Sequence, residues 1–378
     1  MSEERYQKCL SWCADHGLKL DARIERKKVN GIYGMYATED IPKDTVFVSF
    51  PIDQSIPRGS DSDYPNDFSE DLKIIYTAAL ELAKGENSEY FGCIAMFETM
   101  EELQSHSIYF FSETELQWIQ KLNPIVFRMA MEQRQRIDGM KASLKKLAPQ
   151  LEEEIILQAI LNFFSRVWGG HLGFLPILDL FNHSDRKGHI LIKLDNDTRS
   201  GHKARISYAK GEQIYVSYSR KDVAFFALNY DYFDPEGPHF INYAQRAIQT
   251  VRNELKQKTL EVAAQEYGGQ FFQANGVQHF KLAAKNMFFL ENAPSFKLLD
   301  YFRKIVLIEA SLTKQEVREQ GIYENLLSVI DPFIAAIQVE QFDLKDIPEK
   351  VRRFYYMSKK EREILLSNRS WVFDNITL

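Results

Sequence analysis

The sequence predicts an α+β fold in which short strands sit on either side of a long helical insert and an all-α C-terminal domain follows. Three observations carry that reading. Apolar and polar residues alternate at the two-residue period of a strand around residue 48, and again between residues 190 and 218. Between them, Ser69 to Trp168 keeps helical spacing. Beyond Asp234-Pro235-Glu236-Gly237-Pro238, which can continue neither helix nor strand, helical patterns return. The expected domains are residues 1–233, with the insert at about 67–168, and residues 234–378.

In chain order, Tyr6, Cys9, Leu10 and Cys13 recur at helical spacing, with Gly17 placed to cap the helix end. Val46, Val48, Phe50 and Ile52 alternate with Phe47, Ser49 and Pro51, the pattern of a strand. A turn-rich stretch, Pro57 to Asp67, leads into the helical insert. Ile190, Ile192 and Leu194 read as a strand, Asp195-Asn196-Asp197 as a turn, and Ala204, Ile206 and Tyr208 as a second strand. Lys210-Gly211 turns the chain into a third, through Ile214, Val216 and Tyr218. In the tail, Phe240, Tyr243, Ala244, Ala247, Ile248, Val251 and Leu255 trace one face of a long helix, and similar patterns cover Phe296–Leu312, Gln315–Val339 and Pro348–Ser367.

Composition narrows the function. The 378 residues include 47 Lys+Arg against 53 Asp+Glu, a net charge of −6, which disfavours nonspecific binding to nucleic-acid phosphates. With 45% hydrophobic and 26% charged residues the chain reads as soluble and globular. Its polar start lacks the apolar core of a signal peptide, its best apolar runs reach about ten residues against the roughly 20 of a membrane span, and three cysteines make no disulfide framework. The expectation is an intracellular, membrane-free, monomeric protein. No phosphate-binding or dinucleotide-binding glycine loop occurs. Cys9, Cys13 and His16 share a helical face without a fourth nearby ligand, so they read as core rather than zinc, and no metal is expected.

Three segments hold the remaining chemistry. Gly31-Ile32-Tyr33-Gly34 places two glycines three apart before a strand, where backbone can approach a ligand closely; alone it is also an ordinary hairpin turn. Asp179-Leu180-Phe181-Asn182-His183-Ser184 brings polar side chains out of an apolar run; alone it also reads as a capped helix end. Gly211-Glu212-Gln213-Ile214-Tyr215-Val216-Ser217-Tyr218 feeds a turn into a strand ending on a tyrosine that suits a core position equally well.

In this order the three segments resemble the SET-domain protein methyltransferases: an amino-terminal glycine motif, an Asn-His-Ser motif, and a final motif ending in the catalytic tyrosine. The insert and helical tail resemble the Rubisco large-subunit methyltransferase-like subclass, which also holds the actin-histidine methyltransferase. The resemblance implies a SET β-fold of small sheets with knot-like C-terminal threading, and S-adenosylmethionine (SAM) as cofactor. It implies that Gly31, Ile32, Tyr33 and Gly34 give backbone contacts and adenine packing, and that Asn182 and His183 hold the cofactor's amino-acid and adenine groups. Arg166 falls where the subclass has an arginine near both ligands, and Asp179 where an acidic residue lies close to them. Tyr218 is implied as the catalytic tyrosine and Tyr230 as a second aromatic of the target-residue channel, the substrate being a protein lysine.

General chemistry agrees with that set. Methyl transfer from a sulfonium is an in-line displacement governed by alignment. The attacking amine must be neutral although free lysine titrates near about 10.4, and an apolar aromatic channel lowers that value. The sequence departs from the subclass at Lys221–Phe226 and at Asp231. A protein-histidine methyltransferase, and a catalytically silent SET-like module that binds a partner through its helical domain, remain as the other two readings.

Overall fold

A computed structural model of the protein describes residues 2–29, 31–56, 64, 68–168, 172–184, 187–218, 222–230, 233, 239–274, 276–283, 287–316 and 320–376. The chain divides into two compact units, one of residues 1–110 and 132–220, the other of residues 111–131 and 221–378. The turn-rich stretch near 57–67, apart from Tyr64, and the 234–238 break lie outside the described residues.

The first unit opens with helix α1 (Glu3–Asp15), capped by Ser2, whose Tyr6, Cys9 and Cys13 enter the core. Gly17 follows it at φ +85°, the left-handed conformation that glycine adopts without strain. Strands β1 (Lys19–Leu20), β2 (Ile24–Val29), β3 (Ile32–Ala37) and β4 (Val46–Pro51) come next, and β5 (Leu191–Leu194), β6 (Arg199–Lys203) and β7 (Gln213–Ile214) follow the insert. They form two antiparallel sheets, ordered β1-β4-β6-β5 and β2-β3-β7. Asp195, Asn196 and Asp197 all take positive φ in the β5–β6 turn, as residues with short polar side chains can. The second strand of that hairpin lies earlier than its alternation predicts, at 199–203 instead of 204–208. There the Arg205 amide donates to the His189 ring, not to a ladder, and Ile206 turns outward while Ala204 and Tyr208 stay buried.

The insert forms α2 (Glu70–Lys84), α3 (Phe91–Ile94), α4 (Met100–His106), α5 (Glu113–Leu122), α6 (Pro124–Leu147) and α7 (Glu153–Arg166). Its ends are set locally: Ser69 caps α2, and Thr99 with Glu102 and Ser112 with Glu115 close capping boxes on α4 and α5. α2 packs on α7 through Ile74, Ile75, Ala78, Ile156, Ala159 and Ile160.

Besides α5, the second unit has helices α8 (Val223–Asn229), α9 (Tyr243–Arg246), α10 (Glu254–Tyr267), α11 (Phe296–Thr313), α12 (Gln320–Ala336) and α13 (Arg352–Ile376). Its helical character is as expected, but it is not purely α. Strands β9 (Ile248–Thr250), β10 (Gly269–Ala274) and β11 (Val277–Leu282) make a three-stranded sheet, and β8 (Ile241–Asn242) pairs with β12 (Phe288–Phe289). The helix expected through Phe240–Leu255 is therefore replaced by β8, α9 and β9. Asn253 caps a new helix start at 254, and the Val251 amide bonds Gln278 on the neighbouring strand. Apolar residues three and four apart fitted either arrangement, and long-range pairing chose. Overlapping the helix expected at Gln315–Val339, the stretch Gln320–Gln341 is by length and composition alone apolar enough to cross a membrane, longer than the apolar runs of about ten residues expected from sequence. Its Ile322, Leu326 and Ile330 are buried, and α12 packs on α11 and α13.

A buried charge network ties the second unit together. The Arg246 guanidinium, 3% exposed, pairs with both Asp222 and Glu361. Asp222 also caps α8 and accepts the Asn242 amide at 2.6 Å, while Asn123, just before α6, donates to Glu361 at 2.7 Å.

Candidate functional site

The first piece of the site is the β2–β3 hairpin. Val29 pairs with Ile32, and Gly31 sits between them at φ +85°. Ile32 is 64% exposed at the start of β3. Further along, β3 also pairs with β7, Met35 opposite Ile214 and Tyr36 opposite Gln213. This brings two amide side chains onto Gly34, where a Cβ would lie 2.3 Å from Gln213 Nε2 and 3.1 Å from Asn182 Nδ2. Because Gly34 has no side chain, Asn182 Nδ2 reaches the Tyr33 carbonyl and donates to it at 2.9 Å. Gln213 is held by two phenols, accepting at Oε1 from Tyr36 at 3.1 Å and from Tyr215 at 3.0 Å.

The second piece runs from Ile177 to Ser184. Ile177 is fully buried at φ +66°, a left-handed conformation that costs a β-branched residue roughly 1–3 kcal/mol. That turn starts a single 3-10 turn, Leu178–Leu180, and sends Phe181-Asn182-His183 alongside the last strand. The segment 214–218 lies between two stretches of this loop: Val216 bridges in parallel to His183 on one side and to His189 on the other. Residues 215–217 are thus hydrogen-bonded along both edges, to Asn182 and Ser184 on one side and to His189 on the other.

That pairing places Tyr218. Its backbone amide donates to His183 Nδ1 at 3.1 Å, so a neutral His183 carries its proton on Nε2. The two rings stack with centroids 5.2 Å apart and 26° between planes. The Tyr218 hydroxyl donates to the Phe181 carbonyl at 2.9 Å, and Trp168 meets the tyrosine ring edge-on at 6.1 Å.

The third piece is a buried ion pair. Arg166, in the last turn of α7, donates from Nη1 to Asp179 Oδ2 at 3.0 Å, with the two side chains 15% and 8% exposed. Arg166 Nε and Asp179 Oδ1 are buried and have no hydrogen-bond partner among the described residues. Burial opposes the arginine charge, but Asp179 and Glu98 outweigh it and hold the guanidinium above its ordinary pKa. For Asp179 burial dominates the pull of Arg166, and the carboxyl sits above the usual range. Glu98 is half-buried, and although burial alone would raise it, its hydrogen bond to His106 at 2.8 Å and the Arg166 charge keep it below that range.

Of the residues singled out from sequence, Tyr33, Gly34, Asn182, His183 and Tyr218 are joined by direct contacts, and Arg166 with Asp179 forms the adjoining pair, Asp179 three residues before Asn182. Gly31 sits in the hairpin turn and Ile32 begins β3. Tyr230 belongs to the second unit, where its ring packs on Phe225 and Phe226 and burial pushes its hydroxyl up to about 12. Lys221 and Asp231 lie outside the described residues. The sequence reading missed four participants. Gln213 and Trp168 stood inside segments already noted, with no role given to them. Glu98 carries no motif, and the Phe181 carbonyl is backbone, which no residue pattern reveals.

Comparison with known proteins agrees with this geometry. Residues 32–219 match the model of the SET domain. Among curated proteins none matches. The structure of the SET domain of LSMT bound to lysine and AdoHcy superposes with a TM-score of 0.65 at 16% identity, over 98% of this chain and 91% of that one. The same domain bound to MeLysine and AdoHcy gives 0.67 at 17% identity, over 99% and 92%. Rubisco LSMT bound to AdoMet gives 0.65 at 16% identity, over 100% and 93%. The chain belongs to the SET-domain family and shares the fold of the Rubisco LSMT structures.

Proposed function

We propose that the protein is a SAM-dependent protein methyltransferase that transfers a methyl group to a lysine side chain of a protein substrate. The observation that carries this reading is the pairing of residues 215–217 with 182–184 on one edge and His189 on the other, which joins Tyr218, His183, Asn182 and the Tyr33–Gly34 backbone into one cluster. The solved LSMT structures with lysine or MeLysine and AdoHcy supply the ligand classes.

The residues present fit SAM. Its α-amino and carboxylate groups require a buried acceptor and a buried donor, and Asp179 Oδ1 and Arg166 Nε offer those two unpartnered atoms. Bound there, SAM supplies a methyl carried on a sulfonium. The protein's own part is orientation and desolvation. Asn182 fixes the Tyr33–Gly34 edge of the pocket, and His183 holds the Tyr218 backbone through its amide. The rings of Trp168 and Tyr218 give the target amine an apolar wall that favours its neutral form. The Tyr218 hydroxyl and the Phe181 carbonyl beside it orient the nitrogen lone pair. Partner recognition is assigned to the C-terminal unit.

Calorimetric titration of SAM into the wild type and into Asn182→Ala tests the cofactor reading: binding in the wild type, weakened at least tenfold in the variant, supports it. Labelled SAM added to a lysate, with Tyr218→Phe as control, then locates the acceptor, and mass spectrometry of the product separates lysine from histidine. A folded wild type that binds no SAM overturns the reading in favour of the silent binding module.

A further inference from the structure

Arg26 has a setting that the site chemistry described so far does not use. It lies on β2 opposite Met35, which puts its side chain on the same sheet face as Tyr33, one diagonal position along β3. The guanidinium carbon stands 3.6 Å from the centroid of the Tyr33 ring and 5.0 Å from that of Tyr6 on α1. Nη1 donates to Glu3 Oε2 at 3.1 Å, and the Arg26 side chain is only 3% exposed. An arginine held at a strand surface by an exposed glutamate alone would gain little from the pair. Here the charge is withdrawn from solvent and laid on an aromatic face, the setting in which a cation–π contact is strongest. The planar guanidinium is the group that stacks in this way; a lysine ammonium is a point charge. Lys28, directly opposite Tyr33, is exposed and approaches the same ring only to 5.2 Å.

What Arg26 holds still matters because of the next atoms along the chain. The Tyr33 carbonyl accepts the Asn182 amide, and Gly34 is the point where Asn182 and Gln213 approach the strand. We propose that Arg26 is a positioning residue of the cofactor site: stacked on Tyr33 and backed by Tyr6 and Glu3, it fixes the Tyr33–Gly34 edge against which Asn182 closes. The proposal rests on the SAM reading of the site for its consequence, but not for its geometry.

Two measurements separate these. Hydrogen exchange of the free protein reads the geometry. Arg26→Ala is expected to lose protection at residues 31–37 and 181–184, Glu3→Gln to leave it near wild type, and Arg26→Lys to fall between. Calorimetry reads the consequence. Arg26→Ala weakens SAM and S-adenosylhomocysteine equally, by about tenfold, since a shared pocket edge is lost and not a methyl contact. In a double-mutant cycle, Arg26→Ala on a Tyr33→Ala background produces no further weakening. Unchanged exchange at 181–184 in a folded Arg26→Ala, or additive losses in the cycle, overturns the proposal; if Arg26→Ala fails to fold, Arg26→Lys decides by the same two criteria. A wild type that binds no SAM overturns the methyltransferase reading instead, and the exchange result alone then judges Arg26.

Discussion

Asn182 and Tyr33 stand 149 positions apart in the chain, and the side-chain amide of the first donates to the backbone carbonyl of the second at 2.9 Å. The bond exists because Gly34 leaves room for it. In Gly34→Ala the new Cβ would lie 2.3 Å from Gln213 Nε2 and 3.1 Å from Asn182 Nδ2, so both amides must withdraw. The ends of two flexible side chains can move, and the stability cost is therefore modest, about 1–2 kcal/mol. SAM affinity is expected to fall at least tenfold. Paired urea unfolding and calorimetry check this, with affinity falling more than stability.

Tyr218→Phe removes the hydroxyl that donates to the Phe181 carbonyl and leaves the stack on His183. Cofactor binding should be nearly unchanged, while turnover with a saturating acceptor drops by about 100-fold, the usual loss for one positioned polar group. Single-turnover transfer of labelled methyl separates the two effects.

In the second unit, Arg246 pairs with both Asp222 and Glu361 in a buried set. Arg246→Ala leaves two buried carboxyls without it and is expected to destabilise by roughly 3–5 kcal/mol. Arg246→Met together with Asp222→Asn and Glu361→Gln, which removes the charges as a set, should recover part of that loss. Chemical unfolding of the full chain reads both.

Two histidines in the first unit are buried as neutral rings. Burial pushes His189 down to about 4 and His202 to about 3. Both folded values lie below the unfolded one near 6.5, so stability is complete above that pH and is lost as pH falls through it, because only the unfolded chain binds the protons. The loss reaches about 1.4 kcal/mol per pH unit for each histidine between pH 6.5 and about 4. His202 stacks on Phe47, and its Nε2 has no partner among the described residues, so His202→Phe keeps the packing and should roughly halve the slope. Urea unfolding across that range decides it.

How much of this was legible in the sequence follows from how local each signal was. Hydrophobic periodicity at 3.6 and 2.0 residues located the helical insert, the strands flanking it and the helices from 296 onward, because burying one face of an element leaves its mark on neighbouring positions in the chain. Turn chemistry at Gly31, Asp195-Asn196-Asp197 and Gly211 was readable for the same reason, since positive φ restricts residue type. The motifs around Gly31, Asn182 and Tyr218 named the family, because a strand that must leave room for Asn182 at Gly34, and a segment paired along both edges at Val216, tolerate few side chains.

The tertiary structure decided everything that depends on what meets what. At 204–208 and 241–250 the same apolar spacing satisfied two kinds of element, and bonds to His189, Asp222 and Gln278, distant in sequence, selected the outcome. The partners of the site residues were equally hidden. The Phe181 carbonyl under Tyr218, the Arg26 guanidinium on Tyr33 and the Glu98 carboxylate that raises Arg166 act through distance and burial. A sequence records which groups a chain carries; the fold sets their spacing and their access to water, and those two quantities fix the strength of every electrostatic contact.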